Sequence, residues 1–572
     1  MSLILRMGAV LVAGILSALA QPAIQAVWNA SVPTPNFPNS GNIAQGSMFT
    51  ILGTGLGPDS ALTGTVPYTT ALPDSTGTSV SVTSGGGTVA AFVTYAQGTQ
   101  INAILPSNTA VGQATFTVTY NGQTSAVFSA NVIDSNGDTA PIQVVTVAPA
   151  VSTANGQGFG QAAAQAAPGL PILMTAPAVP GSNVSLFATG LGAITDPDNN
   201  VPSQTPTTAN VTVTVGGLAA QVMYAGRSMS PGIDEIDVQL DPNTPTGCYV
   251  PAVIAVNGVP SNDFVLPVSN DPACAHPFGL NATVLGQLDS GGTANVGVFA
   301  AIRGAASGIT AEGAGGVFES GTASALFKTY DAVLNMFHVV SYPVALNSCV
   351  VYDELSSAVG INLPSYSTIG GLTELMSDSA LYLNGPNNSQ AILLQGDTGG
   401  YIWFNLPSPF FPPVLGAGGW TLMGAAGPDV AAFSASTEFP SNLSWDNSGN
   451  LGKPPRGGQG ITMLWSGGGT SAQPNVFIVG NSTIMNSNDG SKNRGKSFAC
   501  LAPASAGKFI IPPDVTNQLP GVNDPMFETA IGSLGIATGG GQPFAASLNN
   551  GQAFDGGFFG FGEAFINAAT WQ

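Results

Sequence analysis

Two histidines, His276 and His338, are all that the 572-residue chain offers for imidazole chemistry. His276 lies in Ala275-His276-Pro277, just after a cysteine. His338 lies in the apolar run Met336-Phe337-His338-Val339-Val340, where it reads as a strand residue. No Gly-x-Ser-x-Gly elbow accompanies either one. A serine hydrolase needs a nucleophile with an imidazole base, so that class is disfavoured, as is a multi-histidine metal centre. Four cysteines, Cys248, Cys274, Cys349 and Cys500, lack the Cys-x-x-Cys spacing of a zinc site. They read as disulfides of an oxidising compartment. Of the three possible pairings, Cys248–Cys274 with Cys349–Cys500 keeps each bridge within one unit and is the expected one.

Oxygen-rich loops offer a second kind of chemistry. Asp134-Ser135-Asn136-Gly137-Asp138 spaces its oxygens at i, i+2 and i+4, as calcium loops do, but Val145 stands where a bidentate Glu would close the site. Asp196 and Asp198 form a weaker version. No cofactor is expected beyond calcium at these loops, and a plain Asx-turn accounts for them equally. A glycosidase would need two carboxylates about 5–10 Å apart. No spacing pairs any two of the eight glutamates, and Glu374, Asp378, Asp397, Asp429, Glu438, Asp446 and Asp489 are where a pair would be sought.

Ligand contacts are sought among the aromatic and basic side chains. Trp403, Trp420, Trp445 and Trp465 cluster in sequence. Trp465 alternates with Ile461 and Met463 and reads as core, and Trp445 reads the same way. Trp420, in Gly418-Gly419-Trp420, is the candidate for an exposed aromatic that stacks on a sugar. No Lys or Arg occurs from Met7 through Gly226, whereas Lys492-Asn493-Arg494-Gly495-Lys496 makes a basic loop tip. Lys492, Arg494 and Lys496 could hold an anionic polymer or an acidic neighbour.

Ten basic residues against 30 acidic ones give a net charge of −20 and a pI near 4.1. Such a chain does not hold nucleic acid by phosphate neutralisation and is repelled by anionic lipid. Charged residues are 7% and apolar ones 44%, enough to build cores, while 75 Gly and 43 Pro imply many turns.

The elements that must position these residues are strands. Gly46-Ser47-Met48-Phe49-Thr50-Ile51-Leu52-Gly53-Thr54-Gly55-Leu56-Gly57 returns 135 residues later as Gly181-Ser182-Asn183-Val184-Ser185-Leu186-Phe187-Ala188-Thr189-Gly190-Leu191-Gly192, with six positions identical. The match extends to Tyr95-Ala96 with Tyr224-Ala225, Ile101 with Ile236, and Asn121-Gly122 with Asn257-Gly258. Phe116, Val118 and Tyr120 alternate with threonines, as do Val211, Val213 and Val215, which is the period of a half-buried strand. Asn-Gly then supplies a hairpin turn. Thr-Gly-Leu-Gly reads as a sharp bend after a strand, since no helix and Lys follow to make a phosphate loop. The expected fold class is all-β: tandem immunoglobulin-like β-sandwiches followed by a larger β-rich C-terminal region.

This pattern of Gly-Ser, Thr-Gly-Leu-Gly, Tyr-Ala, Asn-Gly and Ser over residues 40–270 resembles the tandem Ig-like, IPT/TIG-style modules of large secreted acidobacterial proteins. Residues 425–515, with Leu443-Ser444-Trp445, Phe498-Ala499-Cys500 and Phe509-Ile510-Ile511-Pro512, resemble a C-terminal β-domain of the same proteins. The resemblance implies Ig-like sandwiches and export, and no activity. Copy one has no cysteines, so a Cys248–Cys274 bridge would be an addition to the module.

Residues 1–20 carry Arg6, an apolar run from Met7 to Leu19 and Ala18-Leu19-Ala20, the order of a signal peptide cleaved before Gln21. No later run is long enough for a membrane span, so no span is expected in the mature chain. The expected units are 30–135, a flexible linker at 136–178 in which Ala162–Ala167 could form one helical turn, 179–275, and 280–572 with a short helix at Gly370–Met376. The function expected is secreted, non-enzymatic binding, adhesion or surface structure, with an extracellular polysaccharide or another surface protein as partner. The alternative is an extracellular carbohydrate-active enzyme with Ig-like spacers.

Overall fold

The computed structural model describes residues 21–33, 39–72, 77–132, 139–167, 169–204, 206–262, 264–307, 316–329, 346–353, 380–395, 401–405, 413–440, 443–469, 474–486, 494–521, 528–551 and 554–572. The signal segment, Asp134–Asp138, His338, the Gly370–Met376 segment, Lys492, Glu374, Asp378, Asp397 and Asp489 lie outside them. The protein is all-β, built almost wholly from antiparallel sheets.

In copy one, Met48–Thr54 pairs on one side with Ala23–Asn29 and on the other with Gln100–Ile104, which pairs with Phe92–Gln97. The facing sheet sets Ser79–Ser84 between Gly87–Ala90 and Gly112–Tyr120. Alternate residues of the two sheets, Phe49, Ile51, Val93 and Ile101 against Val80, Val82, Phe116 and Val118, meet in one core. Phe49 and Phe116 touch edge to face across it, with ring centroids 5.5 Å apart.

Copy two repeats this pairing. Asn183–Thr189 pairs with Asp234–Gln239, which pairs with Leu218–Arg227, while Val211–Val215 lies between the start of Leu218–Arg227 and Gly247–Val256. The strand interrupted at Ala91 in copy one is continuous here and passes from one sheet to the other. Both Asn-Gly turns form as expected, with φ of 47° and 72° at Asn121 and Gly122 and 51° and 83° at Asn257 and Gly258.

The stretch expected to be a flexible linker is instead divided between the copies. Gln143–Val145 pairs with Asn42–Ala44 and Gly112–Tyr120 of copy one, and Ala150–Val151 pairs with Asn183–Thr189 of copy two. The helical turn expected at Ala162–Ala167 is replaced by a strand, Ala164–Ala167, which also pairs with Asn183–Thr189. Alanine's helix preference is weak over six residues, and the ladder and burial of Ala162 and Ala164 outweigh it.

Beyond copy two, the helix Ala282–Asp289 is capped by Asn281, whose Oδ1 accepts from the Thr283 and Val284 N–H groups at 3.0 and 3.1 Å. Its Val284, Leu285 and Leu288 pack with Cys248, Cys274, Phe278 and Phe558, so the joint has an apolar core. A twelve-stranded sheet follows. At its centre, Thr293–Ser307 pairs in parallel with Gly556–Ala568, which is 263 residues later at its start. One end of the sheet is covered by the strands Ser444–Trp445, Ile461–Ser466 and Lys508–Ile511 over a core containing Trp445, Trp465, Phe498 and Trp571. At the other end Ala380–Asn384, Gln390–Gln395, Gly418–Gly424 and Phe433–Phe439 share a core with Phe299, Phe559 and Phe561. Among the described residues no helix is long and apolar enough to cross a membrane.

Candidate functional site

The Thr-Gly-Leu-Gly bends sit where the two copies meet. In copy one the chain turns at Gly55, φ 63°, and the Leu56 N–H donates to the Gly98 carbonyl at 3.0 Å. In copy two the equivalent Leu191 N–H donates to the Asp234 carboxylate, 2.9 Å from Oδ2. Arg227 Nη1 lies 2.5 Å from Asp234 Oδ1, and Nη2 donates to the Gly192 carbonyl at 3.1 Å. Arg227 is 2% and Asp234 1% exposed. Burial raises the Asp234 carboxyl pKa; the Arg227 guanidinium and the Leu191 and Gly190 amides oppose that rise. The sequence held one sign of this pair: Arg227 ends a run of 220 residues without a cation.

Side chains then lock the copies together. Asp198 accepts from Ser107 N–H at 2.7 Å and Ser107 Oγ at 2.6 Å. Thr189 Oγ1 lies 2.6 Å from Asn29 Oδ1 and 3.0 Å from Ser31 Oγ. Gly46, φ 73°, is needed for this approach: a Cβ there would stand 2.6 Å from Ser107 Oγ and 2.8 Å from Arg227 Nη2. The weaker calcium loop therefore uses its carboxylates structurally. Asp198 bridges the copies, and Asp196 accepts from Ser203 N–H and Oγ at 2.8 and 2.6 Å, bonds that lower its pKa.

The same junction encloses a cleft of about 450 Å³. Its floor is the outer face of the first sheet, where Thr50 and Asn102 stand opposite each other in register. Asn102 Oδ1 accepts from Thr50 Oγ1 at 3.1 Å and from Gln100 Nε2 at 2.9 Å. Its wall is the stretch after copy one, joined to the floor side by Ser31 Oγ and Ser152 Oγ, 2.9 Å apart. Met48, Leu52 and Ile233 supply apolar surface, and no charged side chain lines it.

In the C-terminal region, Arg303 Nη2 lies 3.1 Å from Glu563 Oε1, Arg303 Nη1 donates to the Leu415 carbonyl, and Leu443 N–H donates to Glu563 Oε2 at 2.7 Å. Burial raises the Glu563 pKa, with the amide and the guanidinium acting against it. Glu563 thus faces a cation and an amide, not a second carboxylate. Asp446 accepts from Ser466 Oγ at 3.1 Å, and Glu438 is exposed on the strand Phe433–Phe439. Both expected disulfides are present, with Cα separations of 5.0 Å for Cys248–Cys274 and 4.0 Å for Cys349–Cys500. Each side of His276 is engaged: Nδ1 accepts from Phe278 N–H at 3.0 Å, so Nε2 carries the proton and meets Tyr249 Oη at 2.7 Å.

Trp420 is a correction. It is not an exposed platform but 1% exposed core, stacked on Phe439, with Nε1 donating to the Gly416 carbonyl at 2.7 Å. Gly418–Gly424 is a strand that turns Trp420 inward, and Gly385 makes room, since a Cβ there would meet the indole at 2.5 Å. Arg494 begins the strand Arg494–Pro503, and Lys496 follows on it, opposite Asp353 and Ser482 in register.

No protein-family model matches the chain, and no curated protein matches it. Among solved structures, it is similar to the plexin A4 extracellular region, domains 1 to 8 (12% identity, 44% of this chain, 19% of that one, TM-score 0.16). It is also similar to the surface layer protein SbsC, domains 4–9 (10%, 96% and 82%, TM-score 0.17), and to sidekick-1 immunoglobulin domains 1–5 (9%, 96% and 99%, TM-score 0.12). The chain spans less than half the length of the plexin chains it matches. Similarity at these TM-scores specifies neither ligand nor partner.

Proposed function

We propose that the chain is a secreted, non-enzymatic multidomain β-sandwich protein for extracellular binding, adhesion or surface structure. Residues 1–20 act as its export signal, and units at 30–135, 179–275 and 280–572 follow. The observation that carries this reading is the side-chain lock between the copies, through Asp198–Ser107 and Thr189–Asn29. A chain built to hold its modules at a fixed angle is suited to presenting a surface. Two disulfides fit an oxidising exterior, and a net charge of −20 disfavours nucleic acid. Extracellular polysaccharide or another surface protein remains the partner class.

Small-angle scattering with limited proteolysis tests the reading. One rigid particle, resistant to cleavage through 139–178, is expected. A flexible string of units cut first within that stretch sinks it. Hydrolysis of a polysaccharide that is lost in Glu563→Gln overturns the non-enzymatic part.

A further inference from the structure

We propose that the cleft between copy one and the stretch that follows it binds a neutral saccharide unit. The proposal rests on the reading of the chain as a binding protein and names its ligand class. At about 450 Å³ the cleft falls within the roughly 300–1,000 Å³ of small-molecule sites, and it lies at a junction of modules, where such sites concentrate.

Its chemistry is that of uncharged hydrogen bonding. Asn102 Oδ1 is saturated by Thr50 and Gln100, which leaves Asn102 Nδ2 and Gln100 Oε1 with no partner among the described residues. A donor and an acceptor therefore stand side by side on adjacent turns of one strand, both lining the cleft. Sugar hydroxyls donate and accept at once and match such a pair. Met48 and Leu52, on the neighbouring strand, offer apolar surface to the C–H face of a ring. Tyr95 stands opposite Asn102 in register, half-buried, its hydroxyl held 2.8 Å from Gln97 Oε1. An acidic sugar would find no cation in this lining, in a protein whose net charge is −20.

The test is titration of the full chain with cello-, malto-, xylo- and chito-oligosaccharides, with oligogalacturonate as the anionic arm, read by calorimetry and saturation-transfer NMR. At least one neutral series is expected to bind one-to-one, with an affinity unchanged between 0.1 and 1 M salt. Asn102→Leu and, separately, Gln100→Ala should each weaken it about tenfold or more while the melting temperature holds. Gln100→Ala removes a half-buried side chain outside the core, so it remains informative if Asn102→Leu does not fold. No binding by any neutral series, equal binding of oligogalacturonate, or unchanged affinity in folded Gln100→Ala overturns the proposal. The scattering and proteolysis outcome is independent of sugar, so loss of this inference and loss of the scaffold reading are separable.

Discussion

The two copies of the repeat solve one problem by different means. After the strand Met48–Thr54, the Leu56 amide needs an acceptor, and the tight hairpin between Phe92–Gln97 and Gln100–Ile104 brings the Gly98 carbonyl to it. In copy two that hairpin is longer, running through 228–233 between Arg227 and Asp234. No turn carbonyl takes the Leu191 amide; the Asp234 carboxylate does. A carboxylate buried there needs a counter-charge, and Arg227 supplies it across the base of the hairpin. Lengthening one loop thus turned a backbone contact into a buried ion pair, while the strand pairing was retained. Register and core tolerate divergence in loops, but the amide at the bend must be satisfied either way.

Arg227→Met should break the comparison most severely. It leaves Asp234 buried without its cation, and a loss of about 3–5 kcal/mol is expected in urea unfolding of copy two. Pairing it with Asp234→Asn should restore part of that loss, and a single variant within 1 kcal/mol of the parent would show that the ion pair is dispensable. Next is the bridge that copy one lacks. Replacing Cys248 and Cys274 by Ser opens a loop with a separation of 26 residues and should cost about 3 kcal/mol, with copy one's melting unchanged.

Acid should also act on the second copy's side of the molecule. Burial pushes His276 down to about 3 from 6.5. Between these values the unfolded chain binds a proton that the folded protein refuses, so stability falls as pH drops below 6.5. The loss by pH 5 is about 2 kcal/mol, read from unfolding midpoints against pH. His276→Asn, which keeps an acceptor for the Phe278 N–H, should remove that slope. The smallest effect is in copy one, where only backbone serves the bend: Thr99→Ala, at an exposed position, should change stability by less than about 0.5 kcal/mol in the same unfolding assay.

Patterning made the strands legible. Thr115 to Tyr120 and Val211 to Val215 alternate cleanly, and Asn-Gly dipeptides fix the turns that follow. The cysteine pairing could be read because each bridge stays within one unit. Trp420 could not be placed, because two preceding glycines look like a loop and the room for its indole comes from Gly385, 35 residues away. The alanines at 164–167 were misread since their partner strand, not their own propensity, sets their conformation. Arg227 was visible as an isolated cation, but nothing local named Asp234 as its partner. The cleft was invisible for the same reason: Asn102, Ser31 and Ser152 are ordinary surface residue types until the sheet and the following stretch bring them together.

The parallel pairing of Thr293–Ser307 with Gly556–Ala568 has a mechanical consequence. Val296 stands opposite Gly556 and Ser307 opposite Asn567, so the strands run the same way. Tension applied between the repeats, which lead into the first strand, and the residues after Ala568 pulls the two in opposite directions along their length. All twelve register pairs then bear the load together in shear, instead of peeling apart one at a time, and the end of the C-terminal region becomes a point at which the chain can be anchored or tugged without unravelling.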